Sequence, residues 1–370
     1  MYVPFLSFSW QNAQIQEAFK EKSTCFFESE KYILGPEVAA FEQAYAAFNQ
    51  TNYCIGVANG LDALIISLEI AGVQPGDEVI VPANTYIASW LAVSQVGAVP
   101  VPVEPDVFTY NLDPTEIEAA LTNKTRAIMP VHLYGQPCNM SAIMAIAQKY
   151  DLAVVEDNAQ AHGAHWSGQL TGSFGKANAT SFYPTKNLGA FGDAGAITTN
   201  SPEFNYKARL RRNYGSEVKN VNTIIGHNSR LDELQAAYLN LKLPFLPSWN
   251  QARRQLAASY FTYLKEVPEI ILPAVLPEAE PVYHLFVIRT EQRDALQQYL
   301  QSHHVETAIH YPIPPHLQNA YAHLGFAMGA FPITEKLAQT CLSLPIWPGM
   351  TQDMVYCVCD HIQTFFANQK

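Results

Sequence analysis

Between residues 54 and 199 seven short apolar runs follow one another: CIGV, EVIVP, VPVPV, RAIMPV, LAVVED, ATSFY and AGAITT. They are rich in Val and Ile, and several are almost continuously hydrophobic. That is the pattern of strands covered on both faces, not of strands with one wet side. Helical patterns lie between many of them. In GLDALIISLEIAGV the residues Leu61, Leu64, Ile65 and Leu68 share a face, and in MSAIMAIAQKYD so do Ile143, Ile146 and Ala147. Strand, helix and strand repeated in this way predict an α/β fold whose mostly parallel sheet carries helices on both sides.

The segment before the sheet predicts a helix in GPEVAAFEQAYAAFN, within residues 35–49. Beyond it the pattern changes. LPFLPSWNQARRQLAASYFTYL opens with prolines and continues as a long helix, VYHLFVIRT and ETAIHYPIP read as strands, and RDALQQYLQSHH reads as a helix between them. A large domain of residues 1–245 and a small α+β domain of residues 246–370 are expected. A chain of 370 residues suits that division.

Charge and cysteines narrow the function. A net charge of −11 and the absence of a basic stripe argue against nucleic acid as a partner. No signal peptide or membrane span is expected, because the N-terminus lacks a basic and apolar leader and no apolar window is long enough. The six cysteines are scattered, and the CVC at 357–359 lacks a second pair or flanking histidines, so buried thiols are expected and no metal site. A cytoplasmic protein follows from that reading.

Ligands in open α/β sheets bind at the carboxyl ends of strands. After CIGV come Asn59 and Gly60, which open a helix. They serve either as an ordinary tight turn or as an anion cradle of backbone amides. After LAVVE comes Asp157, an N-cap or a buried carboxylate in need of a partner. After ATSFY come Pro184, Thr185 and Lys186, in the stretch SFYPTKNLGAFGDAGAI. An anion cradle, a buried acid and a lysine suit pyridoxal 5′-phosphate. The phosphate needs amides and hydroxyls, the pyridine nitrogen needs a carboxylate to stay protonated, and the aldehyde needs an amine. The small residues around Lys186 leave room for a bulky substrate.

VVEDNAQAHGA followed by SFYPTKNLGAFGDAGAI resembles the DegT/DnrJ/EryC1/StrS nucleotide-sugar aminotransferases, a group of fold-type-I pyridoxal-phosphate enzymes. The resemblance spans the chain through GPEVAAFEQAYA, VANGLDAL, GDEVIVPANTYIAS, HLYGQP, LRRNYGS, HNSRLDELQAAYL and HYPIPPHL. Within the group, NGLDAL, NTYIASWLAVSQVGAVPVPVEPD and HYPIPPHL are most similar to the 3-aminotransferases of dTDP-3-keto-6-deoxyhexoses, with the 4-aminotransferases of 4-keto-6-deoxysugars as the alternative.

The resemblance implies a large domain with a mostly parallel seven-stranded sheet and a small C-terminal domain. It implies that Lys186 holds the cofactor and moves the proton. By the same match Asp157 pairs with the pyridine nitrogen, Gln160 meets the ring hydroxyl and Tyr86 stacks on the ring. Asn59, Gly60, Leu61 and Ser181 hold the phosphate, and Asn228 reaches the phosphate of a neighbouring subunit in a homodimer with shared sites. Tyr183, Tyr214, His310 and Tyr311 are expected at the sugar or its diphosphate, with core or interface packing as the other reading. One of Arg211 and Arg212 is a candidate for the diphosphate, and His162 is expected to be a packed histidine. The implied substrates are a dTDP-linked keto-deoxysugar and L-glutamate, and the implied product is a building block for a surface polysaccharide such as O-antigen or for a secondary-metabolite sugar. A sugar 3-dehydratase type of the same fold, which has no cofactor-bound lysine, carries histidine where Lys186 stands, so the lysine argues against that branch. No DNA-binding segment supports a regulator.

Overall fold

The computed structural model describes residues 1–368. Its centre is a seven-stranded sheet. The strands in chain order are β1 (Tyr53–Val57), β2 (Glu78–Pro82), β3 (Val99–Val103), β4 (Thr125–Ile128), β5 (Ala153–Asp157), β6 (Ala177–Ser181) and β7 (Gly195–Thr199). Across the sheet they run β1-β7-β6-β5-β4-β2-β3. The pairs β2–β3, β2–β4, β4–β5 and β5–β6 are parallel, and β7 is antiparallel to both β1 and β6. Each of the seven apolar runs supplies one strand.

Burial on both faces explains the unbroken hydrophobicity of those runs. On β2, Val79 and Val81 belong to one apolar cluster, with Trp90, Val155 and Leu64, while Ile80 between them belongs to another, with Ile128, Ile143 and Val154. Alternate side chains thus enter opposite layers. The helix Gly60–Ile70 lies so deep that Ile66 and Ser67 are buried along with Leu64 and Leu68, and its apolar stripe widens to most of its circumference.

The C-terminal part is built from the helix Leu246–Leu264, the helix Arg293–Ser302, the helix Gln352–Ala367 and an antiparallel pair, Phe286–Arg289 with Cys341–Leu344. Leu256, Tyr260, Phe286, Leu342 and Ile362 form its core, and Val3 from the other end of the chain joins them. One expected strand is missing. In Glu306–Pro314 only Ala308 pairs, through a single antiparallel bridge to Ser343. Pro312 and Pro314 have no N–H to donate to a ladder, and the segment instead carries its side chains to the mouth of the cavity described next.

Among the described residues no helix is long and apolar enough to cross a membrane, and no cluster of His, Cys, Asp or Glu could hold a metal ion. The six cysteines are free thiols, four of them buried.

Candidate active site

A cavity of about 580 Å³ opens at the carboxyl ends of β1, β5 and β6. Asn59, Gly60, Leu61, Tyr86, Asp157, Gln160, Ser181, Tyr183, Lys186, His310 and Tyr311 all line it. Residues more than two hundred positions apart in the chain converge there because parallel strands end on one side of the sheet.

The cradle comes from close packing. Asn59 caps the helix Gly60–Ile70, its Oδ1 accepting from Asp62 N at 2.8 Å, while Ala63 N bonds Asn59 O at 3.1 Å. The amides of Gly60 and Leu61, in the first turn, have no carbonyl behind them to bond. A Cβ at position 60 would stand 2.6 Å from Cβ of Ser181, and a Cβ at position 195 would stand 2.3 Å from the carbonyl oxygen of Asn59. Only glycine lets these three segments approach, and the approach sets the Ser181 hydroxyl beside the helix N-terminus.

Asp157 is buried at the end of β5. Its backbone is held on both sides, since Asp157 N donates to Pro130 O at 2.8 Å, Asp157 O accepts from His132 N at 3.1 Å, and Asn158 N donates to Ala179 O at 2.8 Å. Its carboxylate accepts from Ser89 Oγ at 2.8 Å and from Ala159 N at 3.2 Å. Burial raises its proton affinity, and the Ser89 hydroxyl, the Ala159 amide and the Lys186 charge oppose that.

The preceding residue, Glu156, is fully buried and anchors the same strand. Its Oε1 accepts from Phe174 N and Gly175 N at 2.7 and 2.9 Å. Its Oε2 accepts from Gly172 N at 2.8 Å and lies 2.8 Å from His132 Nε2. His132 Nδ1 accepts from Cys138 N, so the His132 proton sits on Nε2 and points at Glu156. His132 stands in the HLYGQP stretch that marked the resemblance.

Lys186 closes a turn, donating its backbone N–H to Tyr183 O at 2.9 Å with Pro184 at the second position. Its side chain is half-buried in the cavity wall. Burial pulls its ammonium down from 10.5 to about 8, while the Asp157 carboxylate works against that fall. Gln160 is oriented by Tyr134 N, which donates to Oε1 at 2.6 Å, leaving its amide to donate to Tyr311 Oη at 3.2 Å. The rings of Tyr86 and Tyr311 lie 5.3 Å apart. His310 is fixed by Ser343 Oγ, 2.9 Å from its Nδ1, and by Tyr134 Oη, which donates to its carbonyl. Burial and the Lys186 charge lower His310 to about 4, so it is neutral.

Two predicted residues lie elsewhere. Tyr214 and Asn228 are exposed and flank a hairpin rather than this cavity, with Asn213 bridged to Asn228 and the Arg230 guanidinium 5.4 Å from the Tyr214 ring. Neither candidate arginine lines the cavity. Arg212 is buried against Glu42 and donates to Gly56 O at 2.7 Å, and Arg211 donates to Ile225 O at 2.8 Å. His162 is packed as expected, its Nε2 donating to Ser181 O at 3.0 Å, and burial lowers it to about 3.

The cavity also contains Thr85, Asp193 and His284, which the sequence did not point to. His284 has a defined tautomer. Asn187 Nδ2 donates to Val282 O at 3.1 Å and to Asn250 Oδ1 at 2.9 Å, and Asn250 Nδ2 donates to His162 O at 2.7 Å. Two carbonyls thereby fix both amides. Asn187 Oδ1 must accept, so His284 Nδ1, 3.3 Å away, carries the proton and Nε2 carries the lone pair. Burial and the nearby Lys186 and Arg253 charges hold this ring neutral.

A glycine-lined cradle with free amides, a buried carboxylate and a lysine of lowered proton affinity in one cavity fit pyridoxal phosphate and define a cofactor-dependent enzyme that handles amines. The profile of the DegT/DnrJ/EryC1/StrS aminotransferase family matches residues 13–363, and the chain belongs to that family, whose cofactor is pyridoxal 5′-phosphate. It is 50% identical over 363 residues to the dTDP-3-amino-3,6-dideoxy-α-D-galactopyranose transaminase of Aneurinibacillus thermoaerophilus, covering 98% of this chain and 99% of that protein. It is 49% identical over 362 residues to the erythromycin biosynthesis sensory transduction protein EryC1 of Saccharopolyspora erythraea, covering 98% of each. The crystal structure of Streptomyces venezuelae DesV in complex with a ketimine intermediate superposes with a TM-score of 0.97 at 45% identity, covering 98% of each chain. The seven-stranded sheet and the aminotransferase family are therefore those the resemblance implied.

Proposed function

We propose that the protein transfers an amino group, with L-glutamate as donor, to the 3-keto carbon of a dTDP-linked 6-deoxyhexulose, and that it does so as a homodimer. The observation that carries the reading is the meeting of Lys186, Asp157 and the Asn59–Gly60–Ser181 cradle in one cavity. The names of the relatives, a dTDP-3-amino-3,6-dideoxy-galactopyranose transaminase among them, support the position and the nucleotide.

The bound cofactor supplies an aldehyde that carries the amino group and a ring that withdraws electrons from the reacting carbon. The protein supplies the rest. Gly60 and Leu61 amides, the Asn59 turn and the Ser181 hydroxyl hold the phosphate. Asp157 keeps a proton at the ring nitrogen. The Gln160 amide, with its oxygen already engaged by Tyr134, donates to the ring oxygen. The Lys186 amine, with its lowered proton affinity, holds the cofactor between turnovers and moves the proton between the two carbons at which it is exchanged. Tyr86 covers the ring, and Tyr183, His310 and Tyr311 line the side where the sugar enters.

A homodimer with shared sites is part of the same reading. Asn228 and Tyr214 are exposed on this chain and lie away from its own cavity, which suits residues that serve a neighbour's phosphate and substrate. The test is incubation of the holoenzyme with dTDP-3-keto-6-deoxyglucose, its 4-epimer and the 4-keto isomer, each with glutamate, followed by mass analysis. A 3-amino product from either 3-keto sugar supports the reading. Amination of the 4-keto isomer alone overturns it.

A further inference from the structure

Asp157 is a carboxylate in a place that favours the neutral acid. It is 6% exposed, and among the described residues it forms no ion pair. The charged and titratable groups that act on it or feel it are Lys186, His132, Cys138 and Tyr311. Among the described residues only two hydrogens reach its oxygens directly, the Ala159 amide on Oδ1 and the Ser89 hydroxyl on Oδ2.

Ser89 has one hydroxyl proton, and at 2.8 Å from an acceptor-only carboxylate that proton is committed to Asp157. The neighbouring pair, Thr85 Oγ1 and Ser89 Oγ at 3.0 Å, therefore has Thr85 as donor. Thr85 and Ser89 are 2% and 1% exposed, so bulk water cannot take over either role. The result is a directed relay, Thr85 to Ser89 to Asp157. All of it lies within NTYIAS except the acid itself, and Tyr86 of the same stretch lines the cavity.

A carboxylate facing a pyridine nitrogen contests one proton with it. A donor on the carboxylate weakens its hold on that proton. We propose that Ser89 is a positioning residue whose hydroxyl, braced by Thr85, keeps Asp157 ionised so that the contested proton rests on the cofactor's ring nitrogen. The inference rests on the reading of Asp157 as the partner of that nitrogen. It makes a serine outside the cavity lining a control on the electron demand of the ring.

The experiment loads the parent, Ser89→Ala, Ser89→Thr, Thr85→Val and Asp157→Asn with pyridoxal phosphate labelled with ¹⁵N in the ring. It reads the ring-nitrogen chemical shift, the rate of the half-reaction with glutamate and the melting temperature. Ser89→Ala moves the ¹⁵N resonance toward the unprotonated value and slows the half-reaction about tenfold, the effect of one lost charge-assisted hydrogen bond. Ser89→Thr, which keeps the hydroxyl, returns the resonance toward the parent. Thr85→Val moves it in the same direction by less, and carries the test if Ser89→Ala does not fold. A parental ¹⁵N shift in Ser89→Ala, whatever its rate or melting temperature, overturns the proposal if Asp157→Asn moves the resonance. A parental shift in Asp157→Asn overturns the reading of Asp157 itself, and the role of Ser89 with it.

Discussion

A methyl group added at position 60 would stand 2.6 Å from Cβ of Ser181, closer than any side chain tolerates. Gly60 and Ser181 lie on a helix and a strand distant in sequence, and their contact forms the floor of the cradle. Gly60→Ala must push the helix Gly60–Ile70 away from β6, and the amides leave the phosphate position with it. Cofactor dissociation, followed by absorbance titration, rises at least about tenfold, because more than one hydrogen bond of about 1.5 kcal/mol is lost. An unchanged dissociation constant contradicts the cradle.

Glu156 is predicted to be structural rather than chemical. It accepts three backbone N–H groups and faces the protonated nitrogen of His132. Glutamine at 156 presents two donors to a site furnished only with donors. Glu156→Gln costs about 3 kcal/mol or more in urea unfolding of the cofactor-free protein. A loss below about 1 kcal/mol shows that the loop of residues 172–175 rearranges around the new amide.

The lysine provides a pH test. In cofactor-free protein Lys186 titrates near 8 instead of 10.5. Trinitrobenzenesulfonate attacks the neutral amine, so its modification of Lys186 rises with pH and reaches half its limit near pH 8. Asp157 holds the proton on Lys186, so Asp157→Asn moves that midpoint lower. The unfolded chain keeps the proton up to the ordinary value, so Lys186 adds to folded stability as pH rises through that window. A midpoint at the value of an exposed lysine refutes the burial argument.

Much of this was legible in the sequence because the chemistry sits where strands end. Buried strands announce themselves as unbroken apolar runs, so the residues after them, Asn59, Asp157 and Lys186, could be picked out one by one. Ser89 and His284 could not. Ser89 faces Asp157 only because a helix start is folded against the end of β5, and neither residue's spacing encodes that. His284 stands in a run that reads as plain strand, and its tautomer depends on Asn187, Asn250 and the carbonyl oxygens of Val282 and His162. The stretch from Glu306 to Pro314 misled in the other direction. Its β-branched and aromatic residues suggested a strand, while its prolines prevented one. Tyr214, Asn228 and the two arginines were chosen by motif, and a motif does not say which of two chains a side chain serves. Arg212 proves to be committed to Glu42.

The proposed homodimer with shared sites has a complementation test. Lys186→Ala is inactive, and Asn228→Asp sets a negative charge where a phosphate is to be held, so it too loses activity. A heterodimer of the two variants contains one site with both lesions and one with neither. Mixing them, with exchange verified by native mass spectrometry, restores part of the parental activity. Heterodimers without activity contradict the shared site.

Reduction of the loaded protein tests whether Lys186 holds the cofactor. Holoenzyme is expected to absorb near ~410–430 nm, the ordinary signature of pyridoxal phosphate held on a lysine. Treatment with borohydride should abolish that band, and digestion with mass spectrometry should find the reduced cofactor on the peptide that contains Lys186. Lys186→Ala should show neither the band nor the adduct. An adduct on any other lysine, or the same band in Lys186→Ala, would contradict the assignment on which the whole site is built.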